Sequence, residues 1–136
     1  MSLESIQIIN LPKIIDPRGN LSYFESNNHI PFKIKRTYWI YDVPGGEIRG
    51  SHAFKEAKEF LVCLSGSFDV NLYDGSDHKK IHLNRSYYGL YIPNKIWKTL
   101  DNFSTNAVTL VVASTMYDMD DYIRDVEEFK NSIKNA

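Results

Sequence analysis

The chain has 136 residues, enough for one domain with a core that needs no disulfide. Its 16 Lys and Arg stand against 17 Asp and Glu, and the resulting net charge of −1 excludes any chain-wide attraction to nucleic acid or anionic membrane. The lone cysteine, Cys63, cannot form an internal disulfide, and no apolar run reaches membrane-spanning length. The start "MSLESIQIINLPK" lacks the basic segment and apolar stretch of a secretory signal, so a cytoplasmic protein is expected.

Strand patterns come first along the chain. "ESIQIINL" and "KIIDPRGNLSYFES" are short apolar runs, the second broken by the turn Pro17-Arg18-Gly19-Asn20. "FKIKRTYWIYDV" alternates, with Phe32, Ile34, Arg36 and Tyr38 expected on one face and Lys33, Lys35, Thr37 and Trp39 on the other. A face that mixes apolar side chains with Arg36 and Tyr38 suits an interior with a polar cavity. "VPGGEIRG" reads as a loop. "EFLVCLSGSFDVNLYDGSDHKKIHL" reads as three strands, with Asp74-Gly75 at a hairpin turn. "YYGLYIPNKIWKTL" and "AVTLVVAST" add two more strands. The tail changes period: Tyr122, Val126, Phe129 and Ile133 recur at helical spacing behind Asp118, Asp120 and Asp121. Many short strands and one terminal helix predict an all-β barrel or sandwich over residues 1–136, with a C-terminal helix.

The chemistry centres on "RGSHAFKE". Gly46, His52, Glu59 and Gly66 have the spacing of the first cupin motif, but Phe54 stands where that motif has its second histidine. In "GLYIPNKIWKTL", Lys98 follows Trp97 close to where metal-binding cupins carry another histidine. A divalent metal needs three or four converging donors, so no metal site is expected. His52 alone is better suited to carry a proton, since an imidazole gives and takes protons near neutral pH. Without a metal, Glu59 is expected to pair with a cation or accept a hydrogen bond.

These stretches, together with "KIIDPRGNL", "FLVCLSGSFDVNLYDG" and "VVASTMYDMDDYIRDVEEFK", run in order through almost the whole chain. The chain resembles the FdtA/WxcM-like sugar 3,4-ketoisomerases. The resemblance implies a cupin jelly-roll β-barrel, a homodimer and no cofactor. It implies a dTDP-linked 4-keto-6-deoxyglucose as substrate, isomerised through an enediol in the making of aminodideoxy sugars for surface glycans. Members typically carry His-Ala-His where this chain has His52-Ala53-Phe54, which makes His52 the implied base. Two residues are candidate donors to the sugar carbonyl: Tyr38, on the strand face it shares with Arg36, and Lys98, which could also stabilise the enediolate charge. Arg18 and Gly19 match a loop that approaches the sugar, and an Arg-Gly pair resembles the branch giving the galacto product.

Further substrate contacts are expected from Arg36 and Arg49, whose guanidinium groups suit diphosphate oxygens, and from Trp97 and Lys98. His29, His78 and His82 show no metal spacing, and the first two are expected to be solvated. Two other functions compete with the isomerase. One is a nucleotide-sugar-binding cupin without catalysis, favoured by Phe54 and Lys98. The other is a related epimerase that also uses a histidine base. An open pocket around His52 would favour catalysis, and a pocket filled by Phe54 and Lys98 would favour binding alone.

Overall fold

Alternating patterning produces twelve strands in the computed structural model, which describes residues 2–135. In chain order they are β1 (Gln7–Asn10), β2 (Lys13–Ile14), β3 (Leu21–Ser22), β4 (Arg36–Ile40), β5 (Arg49–Phe54) and β6 (Glu59–Ser65). They continue with β7 (Phe68–Tyr73), β8 (His78–Leu83), β9 (Tyr88–Ile92), β10 (Trp97–Asp101), β11 (Val108–Ala113) and β12 (Tyr122–Ile123), before helix α1 (Val126–Lys134). Two five-stranded sheets form, in the orders β1-β9-β6-β11-β4 and β12-β5-β10-β7-β8. The small hairpin β2-β3 stands apart. The expected barrel is therefore a jelly-roll sandwich: among the described residues no strand hydrogen-bonds across from one five-stranded sheet to the other.

The core lies between the two sheets. Leu61, Cys63, Leu90 and Val111 from the first sheet meet Phe68, Val70, Leu72, Leu83 and Leu100 from the second. Each such aliphatic side chain contributes about 1.5–3 kcal/mol on full burial. The outer face of the first sheet is also covered. Phe60, Val62, Tyr91 and Val112 there pack under Leu11, Ile30 and Phe32 from the N-terminal segment. Cys63 is buried and its thiol donates to the Ser65 and Gly66 carbonyls, as suits an inert core cysteine.

Three expectations change. The strand predicted from Phe32 begins only at Arg36. Phe32 and Ile34 belong to the outer cluster while Arg36 and Tyr38 line an interior cavity, because the chain crosses from one face of the sheet to the other before β4 starts. Arg49 and Gly50, read as loop, begin β5. The tail helix starts at Val126 rather than near Tyr122. Asp125 caps it by accepting from the Glu128 amide, and upstream Tyr122 and Ile123 pair with Phe54 and Ala53 as a sheet edge. The Asp121 carboxylate accepts from the Glu56 and Ala57 amides and so pins that edge to the β5–β6 turn.

Gly89 shows how closely the first sheet is packed. A Cβ there would meet the Phe60 ring at 2.4 Å and the Leu61 carbonyl at 2.6 Å. Gly89→Ala therefore overpacks the sheet and is expected to lower stability by about 1–3 kcal/mol. Urea unfolding would read this as a lower midpoint at unchanged slope, and an unchanged midpoint would refute it.

Candidate active site

β4, β5 and β10 bring the chemistry together at one end of the sandwich. Facing side chains from these strands, with Tyr117, Tyr122 and Arg124 from the tail, enclose a cavity of about 540 Å³. His52, Tyr38, Arg36, Arg49 and Lys98 all line it, as expected from the sequence. Phe54 does not, and the cavity is open. The wall carries the cations Arg36, Arg49, Arg124 and Lys98 and no carboxylate, so it favours a polyanion.

The backbone of β5 is bent just before His52. Gly50 has φ +90° and Ser51 has φ +37°, and the pairing register with β10 shifts at the same place. Such bulges re-aim side chains beside active sites. Here the bend lets the Gly50 carbonyl meet Nδ1 of His52. A carbonyl only accepts, so Nδ1 carries the hydrogen and Nε2 keeps its lone pair. Nε2 is buried and has no protein partner. The ring is wedged against Phe54 at 4.8 Å and Tyr122 at 5.0 Å between centroids. Burial first, then the charge of Lys98, pushes the His52 pKa down to about 3; the bond to Gly50 opposes this, and Arg124 and Arg36 add to it. The ring is a neutral acceptor at pH 7.

Opposite His52 lies a buried ionic group. Glu59, only 1% exposed, forms an ion pair with Lys98 through Oε1 and accepts from the Tyr38 hydroxyl through Oε2 at 2.5 Å. Burial raises the Tyr38 pKa well above that of an ordinary phenol, so the hydroxyl keeps its hydrogen. Burial first, then the charge of Arg36, lowers the Lys98 pKa to about 7, and the Glu59 carboxylate in contact opposes that loss of charge. The ammonium also sits 4.9 Å from the centre of the Phe54 ring.

Three predicted contacts are not brought to the cavity. Trp97 points the other way and packs on Phe129 of α1, because neighbours in a strand alternate faces and Lys98 takes the inner one. Arg18 and Gly19 occupy the tip of the separate β2-β3 hairpin, where the exposed Arg18 pairs with Asp16 at 2.9 Å. The remaining histidines lie elsewhere. His82 pairs with Asp69, His78 stacks on Tyr73, and His29, expected to be solvated, is mostly buried and accepts from the Glu25 amide. Among the described residues, no three His, Cys, Asp or Glu side chains converge as a metal site would require.

Tyr117, Tyr122 and Arg124 were missed from the sequence. The helical pattern expected from Asp118 onward hides Tyr122 and Arg124, yet these are two apart, the spacing that puts two strand residues on one face. The Arg124 guanidinium lies 4.3 Å from the centre of the Tyr122 ring.

A family model described as "FdtA: WxcM-like, C-terminal" matches residues 4–134. This chain belongs to that family. A relative named TDP-4-oxo-6-deoxy-α-D-glucose-3,4-oxoisomerase, from Aneurinibacillus thermoaerophilus, is 46% identical over 127 residues, or 93% of this chain and 91% of the relative. A 3,4-ketoisomerase from Helicobacter canadensis superposes with a TM-score of 0.93 at 41% identity, covering 96% and 98% of the two chains. The sugar 3,4-ketoisomerase QdtA from Thermoanaerobacterium thermosaccharolyticum, crystallised with TDP, gives 0.95 at 36% identity over 98% of both chains. The FdtA/WxcM-like chain described here is accordingly a sugar 3,4-ketoisomerase of cupin jelly-roll fold. Among its described residues no helix is long and apolar enough to cross a membrane.

The depressed pKa of His52 in this ketoisomerase has a definite sign. The unfolded ring takes its proton near pH 6.5 and the folded ring only near 3, so stability falls as pH drops through that window. In a proton NMR titration the His52 ring signals should stay constant from pH 8 to 5. A midpoint near 6.5 would overturn the buried neutral base.

Proposed function

We propose that this enzyme converts dTDP-4-keto-6-deoxyglucose to the dTDP-3-keto-6-deoxyhexose with His52 as the only carbon acid–base. One observation carries the reading: His52, neutral and with no protein partner on Nε2, lines an open cavity walled by cations. Nε2 takes the proton from C3 of the sugar, the enediolate forms, and the same nitrogen returns a proton at C4. The two carbons are adjacent, so one imidazole on one face of the ring serves both. The absence of a second histidine at Phe54 is therefore compatible with turnover.

Lys98 is the donor for the C4 carbonyl oxygen. Its ammonium has three hydrogens and the Glu59 pair uses one of them. The charge developing on that oxygen meets a cation already in place. Tyr38, proposed from the sequence as that donor, has committed its hydrogen to Glu59. Its oxygen remains able to accept from a sugar hydroxyl. Arg36, Arg49 and Arg124 supply donors for the diphosphate, and no metal or cofactor enters these steps. The product suits a transaminase that installs nitrogen at C3, which fits a cytoplasmic place in building surface glycans.

A galacto configuration at C4 is part of the proposal and rests on the Arg18-Gly19 resemblance. So is a homodimer, which the exposed Ile8, Ile14, Ile15 and Leu21 of the N-terminal strands and hairpin support. A nucleotide-sugar-binding protein without catalysis is the second reading, favoured by Phe54 and Lys98 where related sequences carry histidines.

The test is incubation with the 4-keto sugar nucleotide in deuterated water, followed by proton NMR. A 3-keto product is expected, and its C4 coupling reads the configuration. His52→Asn should lower the rate by about 10²–10⁴, the usual share of a positioned acid–base group. Binding of the nucleotide sugar with no change at C3 or C4 would refute catalysis.

A further inference from the structure

We infer that Tyr38, Glu59 and Lys98 form a proton relay that moves the sugar's hydroxyl proton from O3 to O4, separately from the carbon proton handled by His52. The inference rests on the isomerase reading above. The chemistry demands such a device. Moving a keto group from C4 to C3 transfers two protons: one leaves C3 and arrives at C4, and another leaves O3 and arrives at O4. A single imidazole occupied with the carbon proton cannot also carry the oxygen proton in the same pass.

The structure supplies a group with the required form. Glu59 is fully buried and presents its two oxygens to two different partners, Oε2 to the Tyr38 hydroxyl and Oε1 to the Lys98 ammonium. Both partners line the cavity with His52, and Glu59 does not. The two ends have opposite polarity toward the substrate. Tyr38 has its hydrogen turned to Glu59 and a free lone pair, so it accepts from O3–H. Lys98 has hydrogens to spare, so it donates to O4.

The steps balance. As the enediolate forms, Lys98 gives a proton to O4 and becomes an amine. When the second carbonyl forms, the O3–H bond breaks and its proton passes to the Tyr38 oxygen, while the Tyr38 hydrogen passes to Oε2 of Glu59. The carboxyl, now carrying that proton on Oε2, rotates to turn it toward Lys98 and gives it to the amine. The electron pair of the O3–H bond becomes the new C3 carbonyl, the enediol double bond takes up the proton on His52 at C4, and all three side chains are restored. No oxidant, reductant or co-reactant is needed. Burial favours the device, since it lowers the ammonium's hold on its proton and keeps the phenol neutral.

Tyr38→Phe and Glu59→Gln test it in deuterated water, with deuterium uptake at C3 of the starting sugar and formation of the 3-keto product followed in the same NMR tubes. Both variants keep His52. Tyr38→Phe is expected to exchange C3 within about tenfold of the unaltered enzyme while product formation falls about 10²-fold or more, and Glu59→Gln, which also removes the counter-charge of Lys98, is expected to lower both. Product formation at the unaltered rate in Tyr38→Phe overturns the relay. Equal loss of exchange and product in a folded Tyr38→Phe also overturns it, since Tyr38 would then act on the carbon step. Should Glu59→Gln fail to fold without its buried carboxylate, Tyr38→Phe decides alone, because it leaves the Glu59–Lys98 pair intact. Absence of both exchange and product in the unaltered enzyme refutes the isomerase reading itself, and the relay with it.

Discussion

The buried carboxylate of Glu59 is the constraint on which the site depends. It belongs to the first sheet, accepts from Tyr38 of the same sheet, and holds Lys98 of the second. A buried ion pair gains little net stability over well-packed apolar side chains, because desolvation offsets attraction. Removing one partner is another matter, since an unpaired charge would then remain in the core. The group is better explained by what it fixes. It sets the position of an ammonium and a phenol at one end of the sandwich, where otherwise only Leu61, Leu100, Val111 and similar side chains would meet.

His52 is fixed by a different means, the strained turn at Gly50-Ser51. Gly50 tolerates φ +90°, and a Cβ there would press on Leu100 and the Lys98 carbonyl at 3.3–3.4 Å. The cost of that backbone yields a cavity-lining ring with its tautomer set and its Nε2 lone pair unused by the protein. A base with a pKa near 3 is weak for removing a carbon-bound proton. Three of the forces that depress it are the charges of Lys98, Arg124 and Arg36. A diphosphate bound among those cations would neutralise them and raise the basicity of Nε2 when substrate is present. On the proposed reading, the arginines offered to the diphosphate thus add to the burial that keeps His52 neutral in the free enzyme.

Much of this was legible in the residues. Spacing alone marked His52 and Glu59, and alternation placed Arg36 and Tyr38 on a common inner face. The same rule, applied to Trp97 and Lys98, forbids both from facing inward, and it was the aromatic residue that was misplaced. The tail misled for a physical reason. Tyr122, Val126 and Phe129 satisfy a helical period, but Asp125 caps the helix after Tyr122 and Ile123 have paired with β5. That pairing joins residues about seventy positions apart, and no local pattern reports it. The Glu59–Lys98 ion pair is equally non-local, although a cation for Glu59 was expected once a metal was set aside.

Phe54 is the residue that most invites doubt about activity, and its surroundings explain why it is tolerated. It lies behind the cavity wall, 3% exposed, with its ring against His52 and Tyr122. The Lys98 ammonium sits against the same ring, within cation–π range. An imidazole at position 54 would bring a second titratable group beside Lys98 and Arg36, where any proton it took would be repelled by both. A phenyl ring accepts the cation and packs against both His52 and Tyr122. Phe54 and Lys98 are therefore a matched pair: with an ammonium at position 98, an apolar ring at position 54 suits the site better than a second titratable ring.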